Sequence, residues 1–134
     1  MQNNDLVLVV DDDADCRELL KIALRAFRVP VISASDGREA VDLAIASRPA
    51  LIFMDLNMPE MDGFDATRAI HTHPEAERIP IVAVSADATK IQKERALDAG
   101  CVEFIEKPWD LSELVRILRE RIRLKRFSPL HEAI

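Results

Sequence analysis

The 134-residue chain is poor in glycine, cysteine and aromatic residues, with three glycines, two cysteines, one tryptophan and no tyrosine. Cys16 and Cys101 form no C-x-x-C and have no metal-ligand spacing, which excludes a dithiol redox centre and a thiolate metal site. Each falls inside an apolar pattern, where a small buried thiol fits. The Gly-, Ser- or Thr-rich loop of N–H donors that a nucleotide or flavin needs after a strand is missing; three aspartates stand there instead. No apolar run is longer than Leu6–Val10, far short of a membrane span, so no membrane insertion is expected. The first five residues lack the basic end and long apolar stretch of a signal peptide, so a cytoplasmic location is the expectation. Excess positive charge is also missing. The net charge is −6, which argues against direct nucleic-acid binding, and the acidity belongs to residues 1–109, with 20 acidic and 12 basic side chains.

What is present alternates. Leu6–Val10, Val31–Ala34, Leu51–Met54, Ile81–Val84 and Cys101–Ile105 read as strands, and a helical pattern follows each one. The first helix carries Cys16, Leu20, Ala23, Leu24 and Phe27 on one face. Leu19, Ile22 and Ala26 widen that stripe, and a helix buried deeply along one flank is preferred to an exposed, partner-docking flank. Asp36 with Glu39, and Asp110 with Glu113, are capping pairs for the second and fifth helices. Ile91, Ala96 and Ala99 are the few apolar contacts of a fourth helix over about 88–99, expected to be the least firmly packed. His71 and His73 are expected in a solvated connection. The last helix has an apolar stripe of Leu111, Leu114, Val115, Leu118 and Ile122. Its remainder is basic, through Arg116, Arg119, Arg121, Arg123, Lys125 and Arg126, and is expected to be a solvated face.

Five strands alternating with five helices predict an α/β fold: a doubly wound (βα)5 three-layer sandwich around a parallel sheet. Pro30 and the charge of Glu103 suit sheet edges, which gives the order 2-1-3-4-5 with its reversal between strands one and three. Ligands in such sheets bind beyond the strand carboxyl ends at the reversal. Asp11, Asp12 and Asp55 converge there, and Ser85 and Lys107 end the fourth and fifth strands on the same rim. Crowded carboxylates repel, raising at least one pKa unless a cation is present. An oxygen-rich site without histidine or thiol suits Mg²⁺, and three carboxylates, one lysine and one divalent ion sum to zero charge. A phosphoryl group would then meet the metal, Lys107 and the Ser85 hydroxyl, and a carboxylate can serve as nucleophile to form an aspartyl-phosphate.

Four marks in the right order after the right strands carry a resemblance: Val9-Val10-Asp11-Asp12, Met54-Asp55-Leu56-Asn57-Met58-Pro59 through Asp62-Gly63, Ser85-Ala86, and Lys107-Pro108. Over about residues 5–125 the chain resembles a receiver domain of two-component response regulators, with the flavodoxin-like fold of chemotaxis receivers. The resemblance implies that Asp55 is the phosphoacceptor of a histidine kinase or histidine phosphotransfer protein. It implies that Asp12, Asp55 and the Asn57 carbonyl hold Mg²⁺, with Asp11 helping through water. Lys107 would pair with the phosphoryl oxygens, Ser85 would reorient to donate to one of them, and Phe104 would follow it inward as the aromatic switch. Pro59 and Gly63 would hold the loop, and the bond before Pro108 would be cis. Phosphorylation would then change the surface of the fourth helix, fifth strand and fifth helix toward an unknown output protein. Ser85, Phe104 and Trp109 stand where threonine, tyrosine and phenylalanine are common in the family; a core or helix-packing role is expected for Trp109. The domain is expected over 1–126 with a tail at 127–134. A single-domain regulator that phosphorylates and dephosphorylates itself is expected rather than a metabolic enzyme. The alternatives are a receiver excised from a hybrid kinase or longer regulator, and a non-phosphorylated interaction module.

Overall fold

Continuous β-branched and leucine runs that cannot tolerate water on either face form the centre of the molecule. In the computed structural model, which describes residues 5–122, Val7–Val10 (β1), Leu51–Asp55 (β3) and Ile81–Ser85 (β4) are buried along their whole length. Val31–Ala34 (β2) and Glu103–Glu106 (β5) flank them, less buried, in the order β2-β1-β3-β4-β5, every pair parallel. The helices α1 (Ala14–Ala26), α2 (Gly37–Ser47), α3 (Gly63–Thr72), α4 (Lys90–Ala99) and α5 (Leu111–Arg121) fill the crossovers. The expected tail, and Arg123, Lys125 and Arg126, lie outside the described residues.

Alternate residues of the strands face opposite layers. Leu8, Val10, Ile52 and Met54 pack with Ala40, Ala44, Phe64, Ile70, Ala96 and Ala99 of α2, α3 and α4. Val7, Val9, Phe53 and Val84 pack with Leu20 and Leu24 of α1 and with Leu114, Ile117 and Leu118 of α5. Side chains cap the helix starts, those of Asp36 and Asp110 as the sequence leads one to expect. Asp13, Asp36, Asp62, Thr89 and Asp110 each accept an N–H of the first turn, and Gly100, at φ 118°, ends α4.

Four local readings change. Leu19 and Ile22 are 59% and 60% exposed, so the wide stripe of α1 is an open flank, while Leu20 and Leu24 are buried in the layer that α1 shares with α5 and the sheet. His71 belongs to α3 rather than to a solvated connection, and its Nε2 lies 2.9 Å from the Ile79 carbonyl oxygen. In α4, which starts at Lys90, Ile91 is 69% exposed, so Ala96 and Ala99 are its buried apolar residues. The strand expected over Cys101–Ile105 is shifted to Glu103–Glu106, since the cap of α4 runs on into Cys101, whose N–H bonds the Ala96 carbonyl. Cys101 stays buried there, beside Thr67, and Glu103 is held by Arg116 and Arg121 of α5.

The contrast along α1 is measurable. Leu19→Ser and Ile22→Ser should each change stability by less than about 0.5 kcal/mol in urea unfolding, whereas Leu24→Ala, at a fully buried position, should cost about 2–5 kcal/mol. Gly63 gives a second check. A Cβ there would fall against the Asp55 carbonyl and 2.7 Å from Leu56 Cα, both backbone atoms that cannot swing away. Gly63→Ala should therefore destabilise by about 1–3 kcal/mol in the same measurement.

Candidate functional site

All five strands run in one direction, so their carboxyl ends share one rim. Asp11 directly follows β1, its N–H still bonded to the Ala34 carbonyl of β2 at 3.2 Å. Asp55 ends β3, Ser85 ends β4, and Lys107 follows β5 with its N–H on the Ser85 carbonyl at 2.9 Å. The structure thus brings together every polar group that the sequence placed at the reversal. Asp11 and Asp55 are buried and Asp12 is exposed, yet oxygen atoms of the three carboxylates lie within 4.8 Å of one another.

One ammonium group answers those carboxylates. Lys107 Nζ lies 3.0 Å from Asp11 Oδ2 and 3.7 Å from Asp55 Oδ1. Burial works against the Lys107 charge, but the Asp11 hydrogen bond and the charges of Asp55 and Asp11 outweigh it and hold its pKa above the ordinary value. Asp55 is worse placed. Burial first, and then the Asp11 charge, push its pKa up to about 7, although Lys107 and the Asn57 N–H pull the other way. The donor set is therefore short of positive charge as well as being all oxygen. Residues Asp11, Asp12 and Asp55 fit a hard divalent cation such as Mg²⁺, whose charge would offset the burial and the repulsion that raise the Asp55 pKa.

The loop after β3 is closed by its own backbone, with the Gly63 N–H on the Leu56 carbonyl at 3.1 Å. Pro59 precedes Glu60, which lies at φ 66°, a left-handed conformation uncommon outside glycine. Asn57, inside that loop, donates its N–H to Asp55 Oδ1 at 3.3 Å and its side-chain Nδ2 to Ser85 Oγ at 3.0 Å. Sequence reasoning did not find the second bond, because it joins positions 28 residues apart and no local pattern encodes it. It also missed Arg17, whose guanidinium donates to the Asp11 carbonyl at 2.8 Å from the first turn of α1.

Farther from the carboxylates, Phe104 is half-buried against the α2–α3–α4 layer, with Lys93 Nζ 5.9 Å from its ring centre. Lys107–Pro108 is a cis peptide bond. Trp109 packs against the α1–α5 layer, as the core reading expected. It also lines an apolar cavity of about 360 Å³ with Cys16, Leu19 and Leu20 of α1, the Lys107 side of the rim closing one end.

The family model of the response regulator receiver domain matches residues 7–119. Response regulator MprA of Mycolicibacterium vanbaalenii is 36% identical over 123 residues, which are 92% of this chain and 52% of that protein, so the chain spans about half its length. Polar-differentiation response regulator DivK of Brucella anthropi is 33% identical over 113 residues, 84% of this chain and 92% of that protein. Among solved structures, the receiver domain of sensor histidine kinase PA1611 from Pseudomonas aeruginosa, with a magnesium ion coordinated in its active site cleft, superposes with a TM-score of 0.83. It is 33% identical, and the match covers 90% of this chain and 99% of that one. The receiver domain of Ssk1 from Saccharomyces cerevisiae, crystallised with the histidine phosphotransfer protein Ypd1, gives a TM-score of 0.82 at 28% identity, covering 92% of each chain.

The raised pKa of Asp55 has a definite sign. The fold favours the protonated acid, so this group's contribution to stability is full below the ordinary value of 3.8 and is lost as pH rises toward about 7. In the absence of divalent ions, Asp55→Asn should stabilise the protein at pH 8 by up to about 4 kcal/mol, and the gain should shrink to nothing near pH 3.5. Urea unfolding at the two pH values checks it, and added Mg²⁺ should narrow the difference at pH 8.

Proposed function

The chain belongs to the response regulator receiver domain family, and we propose that Asp55 is its phosphoryl acceptor. As a receiver domain it works in two-component signalling. The observation that carries the assignment of Asp55 is its placement: a buried carboxylate at the end of β3, at the sheet's reversal, between the Lys107 ammonium at 3.7 Å and the loop whose Asn57 bonds Ser85.

In this reading an Asp55 carboxylate oxygen attacks the phosphorus of a phosphohistidine on a histidine kinase or histidine phosphotransfer protein. A P–O bond forms as the P–N bond breaks; the electron pair leaves with the imidazole nitrogen, which takes a proton from water. Asp12, Asp55 and the Asn57 main-chain carbonyl would hold Mg²⁺, with Asp11 acting through water, and the ion would supply charge neutralisation and orientation for the incoming anion. Lys107 shares its ammonium between Asp11 and Asp55 in the resting protein and turns it to the phosphoryl oxygens once they arrive. Ser85 donates its hydroxyl to the same group.

The phosphoryl group adds about 1.5–2 negative charges and three acceptor oxygens. Drawing Ser85 toward them shifts the β4–α4 connection, and Phe104 turns inward in its wake. The readout is the α4–β5–α5 surface, presented to another protein. α4 suits such a task, since its only buried apolar side chains are those of Ala96 and Ala99. Hydrolysis of the acyl phosphate by water returns the resting state. The 92% coverage of DivK supports a single-domain regulator whose output is a protein contact, and the Ssk1–Ypd1 complex supports a phosphotransfer protein as donor.

The test is covalent uptake of a phosphoryl group from acetyl phosphate with Mg²⁺, followed by intact-protein mass spectrometry. The parent should gain one phosphoryl mass, removal of divalent ions with EDTA should suppress the gain, and Asp55→Asn should show none. Undiminished labelling of Asp55→Asn at the same peptide would dismiss the assignment.

A further inference from the structure

Ser85 is fully buried at the end of β4, and two N–H groups point at its hydroxyl oxygen: Asn57 Nδ2 at 3.0 Å and the Asp87 backbone N–H at 3.1 Å. A hydroxyl has two lone pairs and one proton. Both acceptor positions are filled, so the proton is the one hydrogen bond left for it to give. The main-chain N–H of the same Asn57 touches the Asp55 carboxylate at 3.3 Å. A single loop residue therefore reaches both the acceptor carboxylate and the hydroxyl on the neighbouring strand.

We propose that the Asn57 side chain is a positioning residue that presets the Ser85 hydroxyl as a dedicated hydrogen-bond donor to an anion carried on Asp55. The proposal rests on the reading of Asp55 as phosphoryl acceptor and deepens it. It gives Asn57 a side-chain duty separate from that of its main-chain carbonyl. Two donors directed into an O–H group polarise it, so it donates more strongly to a third partner. They also stop it from turning its proton toward some other acceptor before the anion is present.

The residue type matters for this duty. An alanine at position 57 would leave one lone pair of Ser85 open and the hydroxyl free to rotate. An aspartate would accept where asparagine donates, and would take for itself the proton that the anion needs. Binding of an anion on Asp55 should therefore fall from asparagine to alanine to aspartate at this position. Asn57 is exposed apart from this reach, so its replacement is compatible with an intact fold.

The experiment uses the full chain with Mg²⁺ and beryllofluoride, an anionic phosphoryl analogue, and reads dissociation constants by calorimetry. Parent, Asn57→Ala, Ser85→Ala and the double variant form a thermodynamic cycle. Asn57→Ala should weaken beryllofluoride binding about fivefold when Ser85 is present, the size of one net hydrogen bond. In the Ser85→Ala background the same change should have no more than about a twofold effect, because the group it acts through is gone. A second arm needs no change at Ser85: Asn57→Asp should bind beryllofluoride more weakly than Asn57→Ala. An equal loss in both backgrounds, tighter binding by Asn57→Ala, or parent-like binding by Asn57→Asp overturns the proposal. Failure of the parent to bind beryllofluoride overturns the Asp55 reading, and this proposal with it.

Discussion

The contact between Lys107 and Asp11 spans 96 positions of sequence, and the rest of the site depends on it. It joins the end of the first strand to the end of the last, across β3 and β4, and so exists only when those four strands are in register. The charge arithmetic of the rim follows from it. One ammonium is shared between Asp11 and Asp55, with the Asp12 carboxylate close by; the nearer contact goes to Asp11, and Asp55 is left buried with too little compensation. A carboxylate held that way is a poor structural element. Its neighbours make sense as parts of an arrangement that stabilises an anion larger than itself once additional positive charge is present.

The backbone devices around Asp55 serve the same end. The Gly63 N–H closes the loop onto Leu56, and the absence of a side chain at Gly63 lets α3 begin directly against the Asp55 carbonyl. Arg17 reaches back from α1 to the Asp11 carbonyl, so the helix that follows β1 also fixes the main chain of the residue that engages Lys107. Neither arrangement contributes a group to the chemistry. Both restrict where the carboxylates can go, and a site that holds an ion or an anion in a fixed geometry requires that restriction.

Much of this was legible in the sequence because the fold is written with short-range signals. Strand runs buried on both faces, capping aspartates and Gly100 mark the elements, and the alternation of strand and helix leaves few topologies. The rim residues were legible for the same reason: each lies at a strand's carboxyl end, and parallel strands put those ends together. What escaped depends on surroundings instead. Whether Leu19 and Ile22 meet a neighbour is decided by what packs beside α1 in the folded chain, which α1's own periodicity cannot state. The Asn57–Ser85 bond and the His71–Ile79 contact are side-chain choices made after the chain has folded, between atoms that the sequence separates. The start of β5 was misplaced because the cap of α4 and the strand compete for the same apolar residues, and the cap took Cys101.

The ion pairs of Glu103 with Arg116 and Arg121 bear on a different problem, that of an open sheet margin. A parallel sheet leaves its outer strands with unpaired backbone groups, and another chain could use β5 as a template to extend the sheet. An incoming strand would have to settle beside Glu103, whose carboxylate is already engaged by two guanidinium groups, and beside the charge of Glu106. The β5 border thus presents an engaged, charged side chain beside its open backbone, which disfavours the addition of a strand there.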